Sequence, residues 1–544
     1  MLKLRSRSVP KALLVMVGVF WVLMVAAILV RHYAMYPSFS THDQGIFNQV
    51  FWNSAQGQWF ESTLSSGESS AVEAQDQLSK VTYRRLGQHF TPIHLLWLPI
   101  YKLFPFSATL LVLQVTLVTA GGMALYYLAR TRLSQQLAIW ITLGYFCAQA
   151  VIGPNLANFH DFSQIPLLVF LMLLAVEHEQ WAWAALAAVL VFLCREDTGI
   201  ILFGIGLYFV LSRRHPRFGA VLCVASVAQV VLVTTVIMPM FSEEIGERFL
   251  TDVYDRYVES DNPSTIALLL GFLRHPHWVL QDLLLPFSST VRFLAGHWLP
   301  LVFVPAVSPA AWICIAPPAA VLLLRSDTHI ALSMQLRYTL MLVPGVFYGA
   351  IVWWANRPQM PLSMRTKRLW TACLCLSLLF AFTLNPSRSW SYIIPDSIQP
   401  WVYVSLPQQW SHAQDVRSLI SQMPPDASLS STDNLLPHVS GRRAVLRFPR
   451  LEYRNDAGAA VFVDYLLIDL WQLRQYAPAF SGSTRRLEEW TPLIQSLIEE
   501  GRYGVVGAEQ GVFLLRLGQP SDPAALDAWQ AFRQAGLSHM RTFS

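Results

Sequence analysis

Residues 12–30 read ALLVMVGVFWVLMVAAILV, with no charged side chain among them. About 20 such residues, wound as a helix, cross the hydrocarbon core of a bilayer. Lys3, Arg5, Arg7 and Lys11 precede the stretch, and no small-residue cleavage site follows it. A cleaved signal peptide would have an apolar core of only about 7–15 residues. The stretch therefore reads as an uncleaved anchor with its N-terminus in the cytoplasm. The same character runs through most of the 544 residues. Hydrophobic residues make up 54% and charged residues 13%, against roughly 25% charge in a soluble chain. Mean hydropathy is +0.39. The 19 Trp, 31 Phe and 18 Tyr exclude a disordered chain. A net charge of +5 with no basic stripe argues against a nucleic-acid partner. Cys147, Cys194, Cys223, Cys314, Cys373 and Cys375 all lie in apolar runs, so neither a disulfide framework nor a zinc cluster is readable. The composition leaves a polytopic α-helical membrane protein.

Further apolar runs fall at 107–129, 136–152, 164–176, 181–194, 199–212, 218–240, 298–308, 310–325, 337–355 and 369–385. With the first they predict about eleven spans, several short or tilted. If the N-terminus is inside, the even-numbered connections are cytoplasmic. They hold Arg130 and Arg132, EHEQ at 177–180, SRRHPRFG at 212–219, a turn near Ser308, and NRPQMPLSMRTKR at 356–368. Three are basic, as cytoplasmic loops are, and the acids of EHEQ count for little. Past residue 386 the apolar runs shorten to strand length: AVLRF at 444–448, VFVDYLLI at 461–468, YGVVG at 503–507 and GVFLLRL at 511–517. Amphipathic stretches at 415–423 and 487–500 lie between them. The expected organisation is a membrane domain, 1–385, with a first outer loop at about 33–106, and an extracytoplasmic α/β domain, 386–544.

Polar groups at membrane depth or gathered at one face are the informative ones. In the first outer loop, Ser40 or Thr41 can cap a helix that starts near His42-Asp43, with Ile46, Phe47, Val50 and Phe51 as its apolar stripe. Asp43 then lies in the first turn, either as a plain dipole-capping acid or as a functional carboxylate. The loop closes with His89 and His94, five apart around Pro92. A zinc pair on one helical face is more often three or four apart, so local hydrogen bonding is the competing reading. Residues 61–85 read as a polar, mobile insert. His160-Asp161 forms the titratable pair of the second outer loop. Arg195-Glu196-Asp197 sits between two short spans, as an ordinary charged turn or as charges solvated in a cavity. Arg337 and Tyr338 open the tenth span, where an arginine can also simply snorkel. The orientation, drawn from other residues, puts all of these on the outer side.

HDQGIFNQVFW (42–52), GQHFTPIHLLWLPIY (87–101), FHDFSQIPLL (159–168), REDTG (195–199) and LRYTLMLVP (336–344) resemble the motifs of a bacterial membrane-protein family of unknown function. That family is grouped with the GT-C glycosyltransferases. The resemblance covers roughly residues 10–385, with a weaker echo in PPDASLSSTDNLLPHVSGRR at 424–443. It implies a GT-C-like bundle in the bacterial plasma membrane. It also implies a polyprenyl-phosphate-linked sugar as donor, and an envelope glycan, lipid or protein as acceptor on the outer face. Asp43 occupies the place of the catalytic acid after the first span and would be the general base. Arg337 would stabilise the leaving phosphate, with Tyr338 beside it. His42, His89, His94, His160, Glu196 and Asp197 would line the substrate site. Many GT-C enzymes carry paired acids where this chain has His42-Asp43-Gln44, a departure that counts against a metal at this loop; a divalent metal (Mg or Mn) is the one cofactor the resemblance leaves open. Two other classes compete: a transporter or flippase with an outward polar cavity, which should show repeat symmetry, and a non-catalytic envelope-binding scaffold, which should tolerate loss of Asp43.

Overall fold

The computed structural model describes residues 10–36, 41–73, 75–242, 253–258, 265–358, 361–384 and 389–540. Among these, four helices are long and apolar enough to cross a membrane: Lys11–Ala34, Ser107–Arg130, Pro216–Met240 and Arg337–Ala355. Gln135–Phe146 and Gln149–Asn155, bent by 43° at their junction, make a fifth if taken as one span. The eleven expected spans are thus only partly matched. Trp181–Phe192, Gly199–Leu211 and Pro309–Leu323 are apolar but short. Ile165–Glu177 has 13 residues, about 20 Å of helix against a hydrocarbon core of about 30 Å. The run at 298–308 is not a helix of span length. Pro300 and Pro305 sit in two 3-10 turns, Leu299–Leu301 and Val304–Val307, split by Val302 and Phe303 at φ 54° and 58°. A window count of hydropathy does not see such breaks.

The chain divides into two compact units. The first comprises Met1–Ala27, Leu86–Trp97 and Leu111–Pro386. Its connections are tied together in two sets. Glu177 takes Arg132 at 2.5 Å and Arg214 at 3.3 Å, and accepts a hydrogen bond from the Tyr348 hydroxyl. His89 and Glu196 meet at 2.9 Å, His94 and Asp161 at 2.8 Å, and Trp97 donates to Gln164. Helices Ile165–Glu177, Trp181–Phe192 and Gly199–Leu211 run between these two sets, so alternate connections gather at opposite ends. Glycine allows the close approach: a Cβ at Gly204 would collide with the Cys314 carbonyl, and one at Gly349 with Ala311. Three amphipathic helices, Thr265–Arg274, Pro276–Leu284 and Phe287–Trp298, precede the broken segment and expose Leu273, Leu280, Leu284 and Phe287.

The second unit comprises Ile28–Arg85, Leu98–Leu110 and Ser387–Ser544. Its centre is a five-stranded sheet of β1 (Leu429–Ser431), β2 (Val445–Arg447), β3 (Tyr465–Asp469), β4 (Tyr503–Glu509) and β5 (Val512–Leu517). The order is β2-β1-β3-β5-β4, with β2, β1 and β3 parallel and β5 antiparallel to both neighbours. Helix Ser481–Glu499 lays Leu487, Trp490, Ile494 and Leu497 into the core at helical spacing.

Residues 61–85 are not the loose insert expected. Ser62, Thr63, Leu64, Ser65 and Ser66 are buried, because their polar groups find backbone and side-chain partners. Ser62 caps Thr63–Gly67. The Thr63 hydroxyl donates to the Val445 carbonyl at 2.7 Å and accepts from its N–H at 3.0 Å, covering the free edge of β2. Ser79–Lys80 pairs in parallel with Glu452–Arg454. The first outer loop and the C-terminal residues therefore share one unit.

Candidate functional site

Helix Thr41–Ala55 carries Asp43 in its first turn; Ser40 lies outside the described residues. Ile46, Phe47, Val50 and Phe51 are each 1% exposed, which accounts for the apolar stripe. The polar residues of the same motif are engaged within the unit. Gln44 donates to the Ser107 hydroxyl at 2.9 Å. Asn48 donates to Ser440 at 2.9 Å and accepts from the Tyr101 hydroxyl at 2.7 Å. Gln49 donates to Thr63 and accepts from Ser62, both at 2.8 Å. Gly45 packs closely on Leu436, where an added Cβ would come within 3.0 Å of the leucine Cβ. HDQGIFNQVFW thus docks onto the segment after β1, where LLPHV forms a single turn, Leu436–Val439. That turn has no side-chain cap, and the Thr432 hydroxyl donates to the Asn434 amide oxygen at 3.0 Å.

Beside Asp43, His42 pairs with Glu68 at 2.7 Å. Burial opposes the His42 charge, but Glu68 outweighs it, with Asp433 aiding and Arg447 opposing, and the imidazole pKa is raised. Burial likewise opposes the Glu68 charge. His42 and Arg85 outweigh burial and the repulsion of Asp43, and the carboxyl is held below its usual range. The neighbourhood continues with Arg447 on Asp433 at 2.6 Å, Arg486 on Asp433 at 3.7 Å and Arg450 on Glu73 at 3.9 Å. Apart from His42 and Asp43, none of these was expected as a site residue from the sequence. The signals available were the close pair of arginines in RFPR (447–450) and the acids of a segment read as mobile.

The remaining expected site residues belong to the first unit. Glu196 accepts from Arg195 at 3.1 Å and from the Phe90 N–H at 3.0 Å, beside its contact with His89. Burial raises its pKa, but Arg195 and His89 prevail and bring it down to about 2. Asp197 lies 3.6 Å from Arg195. Burial and the neighbouring Glu196 charge push its pKa up to about 6 despite Arg195. His94 and Asp161 form a buried pair of their own. The His160 ring lies 3.3 Å from the Pro154 carbonyl, and its backbone N–H donates to Gln114 at 3.1 Å. Arg337 opens a 3-10 turn, Arg337–Met341, with its guanidinium 5.5 Å from the Tyr338 ring centre. Arg325 stands 5.0 Å from the same ring and Arg195 5.1 Å from the Phe162 ring. Phe162 and Tyr338 contact at 6.2 Å. Arg195 and Arg325 had not been singled out as site residues. Among the described residues no group of three His, Cys, Asp or Glu side chains could hold a metal ion.

A profile described as a predicted membrane protein, DUF2079, matches residues 31–514. The chain belongs to the DUF2079 family. No curated protein matches in sequence. Among solved structures, ArnT from Cupriavidus metallidurans bound to undecaprenyl phosphate is 13% identical, covering 93% of this chain and 99% of its own, with a TM-score of 0.46. The same protein in the apo state is 11% identical, covering 92% and 98%, with a TM-score of 0.40. A likeness of that size does not fix a fold.

Proposed function

We propose that this family member is an inverting membrane glycosyltransferase of the GT-C kind, working on the outer face of the bacterial plasma membrane. Its donor would be a polyprenyl-phosphate-linked sugar and its acceptor an envelope glycan, lipid or protein. The observation that carries the reading is the gathering of Arg195, Arg325 and Arg337 about the Phe162–Tyr338 ring pair in a membrane protein. Guanidinium groups suit the fork geometry of a phosphate. In the reaction the acceptor oxygen attacks the anomeric carbon and forms the new C–O bond. The bond from that carbon to the phosphate oxygen breaks, and its electron pair leaves with the polyprenyl phosphate. Asp43 takes the acceptor proton, and arginine stabilises the charge developing on the leaving phosphate.

A second reading has support from the docking of HDQGIFNQVFW. Its Gln44, Gly45, Asn48 and Gln49 serve packing, as a non-catalytic scaffold would require. Purified protein given radiolabelled polyprenyl-phosphate sugars and envelope extract separates the two. A transferase consumes the donor and loses that activity in Arg337→Gln. Intact donor in every condition would support the scaffold.

A further inference from the structure

We infer that the carboxyl edge of β1 and β2 binds the acceptor, and that the acceptor carries an anionic group, phosphate or carboxylate, beside the hydroxyl that is glycosylated. The inference rests on the transferase reading. β1, β2 and β3 are parallel, so their carboxyl ends share one edge. The chain leaves β1 for β2 on one side, then crosses back to β3 on the other. Open α/β sheets bind ligands outside the carboxyl ends of their parallel strands, and here the strand order reverses beside β1, between β1 and β3.

The residues at this edge have the chemistry of an anion site. Asp433 follows β1, Arg447 ends β2 and Arg450 follows it; Arg486 reaches in from helix Ser481–Glu499. The three arginine side chains are 36%, 32% and 40% exposed, so none is closed off from water. Only Arg447 has a tight carboxylate, Asp433 at 2.6 Å. The ion pairs of Arg486 and Arg450 are stretched to 3.7 and 3.9 Å, leaving donors for another anion. Arg447 also crowds Arg450 with like charge, and burial and that repulsion together lower the Arg450 pKa. A bound anion would relieve the repulsion. Glu68 pairs with His42, the neighbour of Asp43 in the chain, at 2.7 Å, and its charge is felt by Arg447 and Arg450. An anion held there brings its own hydroxyls toward the proposed base.

The test is ligand-observed NMR on the full-length protein in detergent, with glucose, glucose 6-phosphate and glucuronate as probes. The two charged probes distinguish phosphate from carboxylate. At least one should bind clearly better than glucose. Arg450→Gln with Arg486→Gln should weaken that binding by about tenfold or more, while Arg450→Lys retains part of it. Thermal unfolding reports whether each variant is folded. Equal binding of glucose, no binding of either charged probe, or unchanged binding in the folded double variant would overturn the inference. Undecaprenyl phosphate binding is measured alongside and should survive in the double variant. If wild type fails to bind undecaprenyl phosphate yet binds the charged probes through Arg450 and Arg486, the transferase reading fails and the anion site stands without its acceptor role.

Discussion

Replacing Gln49 with leucine should loosen the second unit while leaving helix Thr41–Ala55 apolar and well shaped. Gln49 is 0% exposed. Its amide nitrogen donates to Thr63 at 2.8 Å and to the carbonyls of Arg442 and Arg443 at 3.3 and 3.2 Å. Its oxygen accepts from the Ser62 hydroxyl at 2.8 Å and the Leu64 N–H at 3.1 Å. Leucine fills the volume but meets none of these groups. Thr63 keeps its bonds to Val445, whereas Leu64 N–H, the Ser62 hydroxyl and the two carbonyls lose a partner. A buried group deprived of its partner costs about 1–3 kcal/mol, and the carbonyl bonds are long, so a loss of about 3 kcal/mol is expected. Hydrogen–deuterium exchange reads the effect locally, which matters in a chain of two units where global melting need not be two-state. The amides of 60–67 and 443–447 should exchange roughly 100-fold faster. Exchange within a factor of two of wild type would refute the idea that Gln49 fastens the first outer loop to β2.

Three further outcomes are expected. The His42–Glu68 pair stabilises the fold most between the ordinary pKa values of 4.5 and 6.5. Its share is lost as pH falls through the depressed Glu68 pKa and as it rises through the elevated His42 pKa, so the melting difference between wild type and His42→Gln should peak in that window and shrink at pH 9. Glu177→Ala leaves Arg132 and Arg214 without their shared carboxylate, and thermal melting should show a loss of about 3 kcal/mol. Asp197, with its pKa up at about 6, is costly to ionise in the fold. Asp197→Asn should therefore melt progressively higher than wild type as pH rises from 4 to 7, and an unchanged difference across that range would show that the carboxylate is not under strain.

Local features were legible in the sequence and long-range partners were not. The stripe Ile46, Phe47, Val50, Phe51 and the first-turn position of Asp43 follow from helical period and capping chemistry, and the structure has both. AVLRF, YGVVG and GVFLLRL became β2, β4 and β5. By contrast, nothing local says that Thr63 will bond Val445, 382 positions away, or that His42 will find Glu68. Serines and threonines read as mobile when their partners are invisible, which is why residues 61–85 were misjudged. β1 was missed because LSS lacks the β-branched and aromatic residues that mark strands. The span count suffered from the opposite fault, since hydropathy measures apolar length and not whether prolines and positive-φ residues interrupt the helix.

The central claim is that Asp43 is the base, and turnover of Asp43→Asn tests it most directly. The amide keeps the shape of the side chain and can still accept a hydrogen bond at the helix start, but it cannot take a proton at neutral pH. If Asp43 only caps the helix, the substitution costs at most ~1 kcal/mol of stability and leaves transfer intact. If it is the base, the variant folds and binds polyprenyl-phosphate donor as wild type does, and turnover falls by about two or more orders of magnitude. Near-normal turnover in a folded, donor-binding Asp43→Asn protein would contradict the assignment.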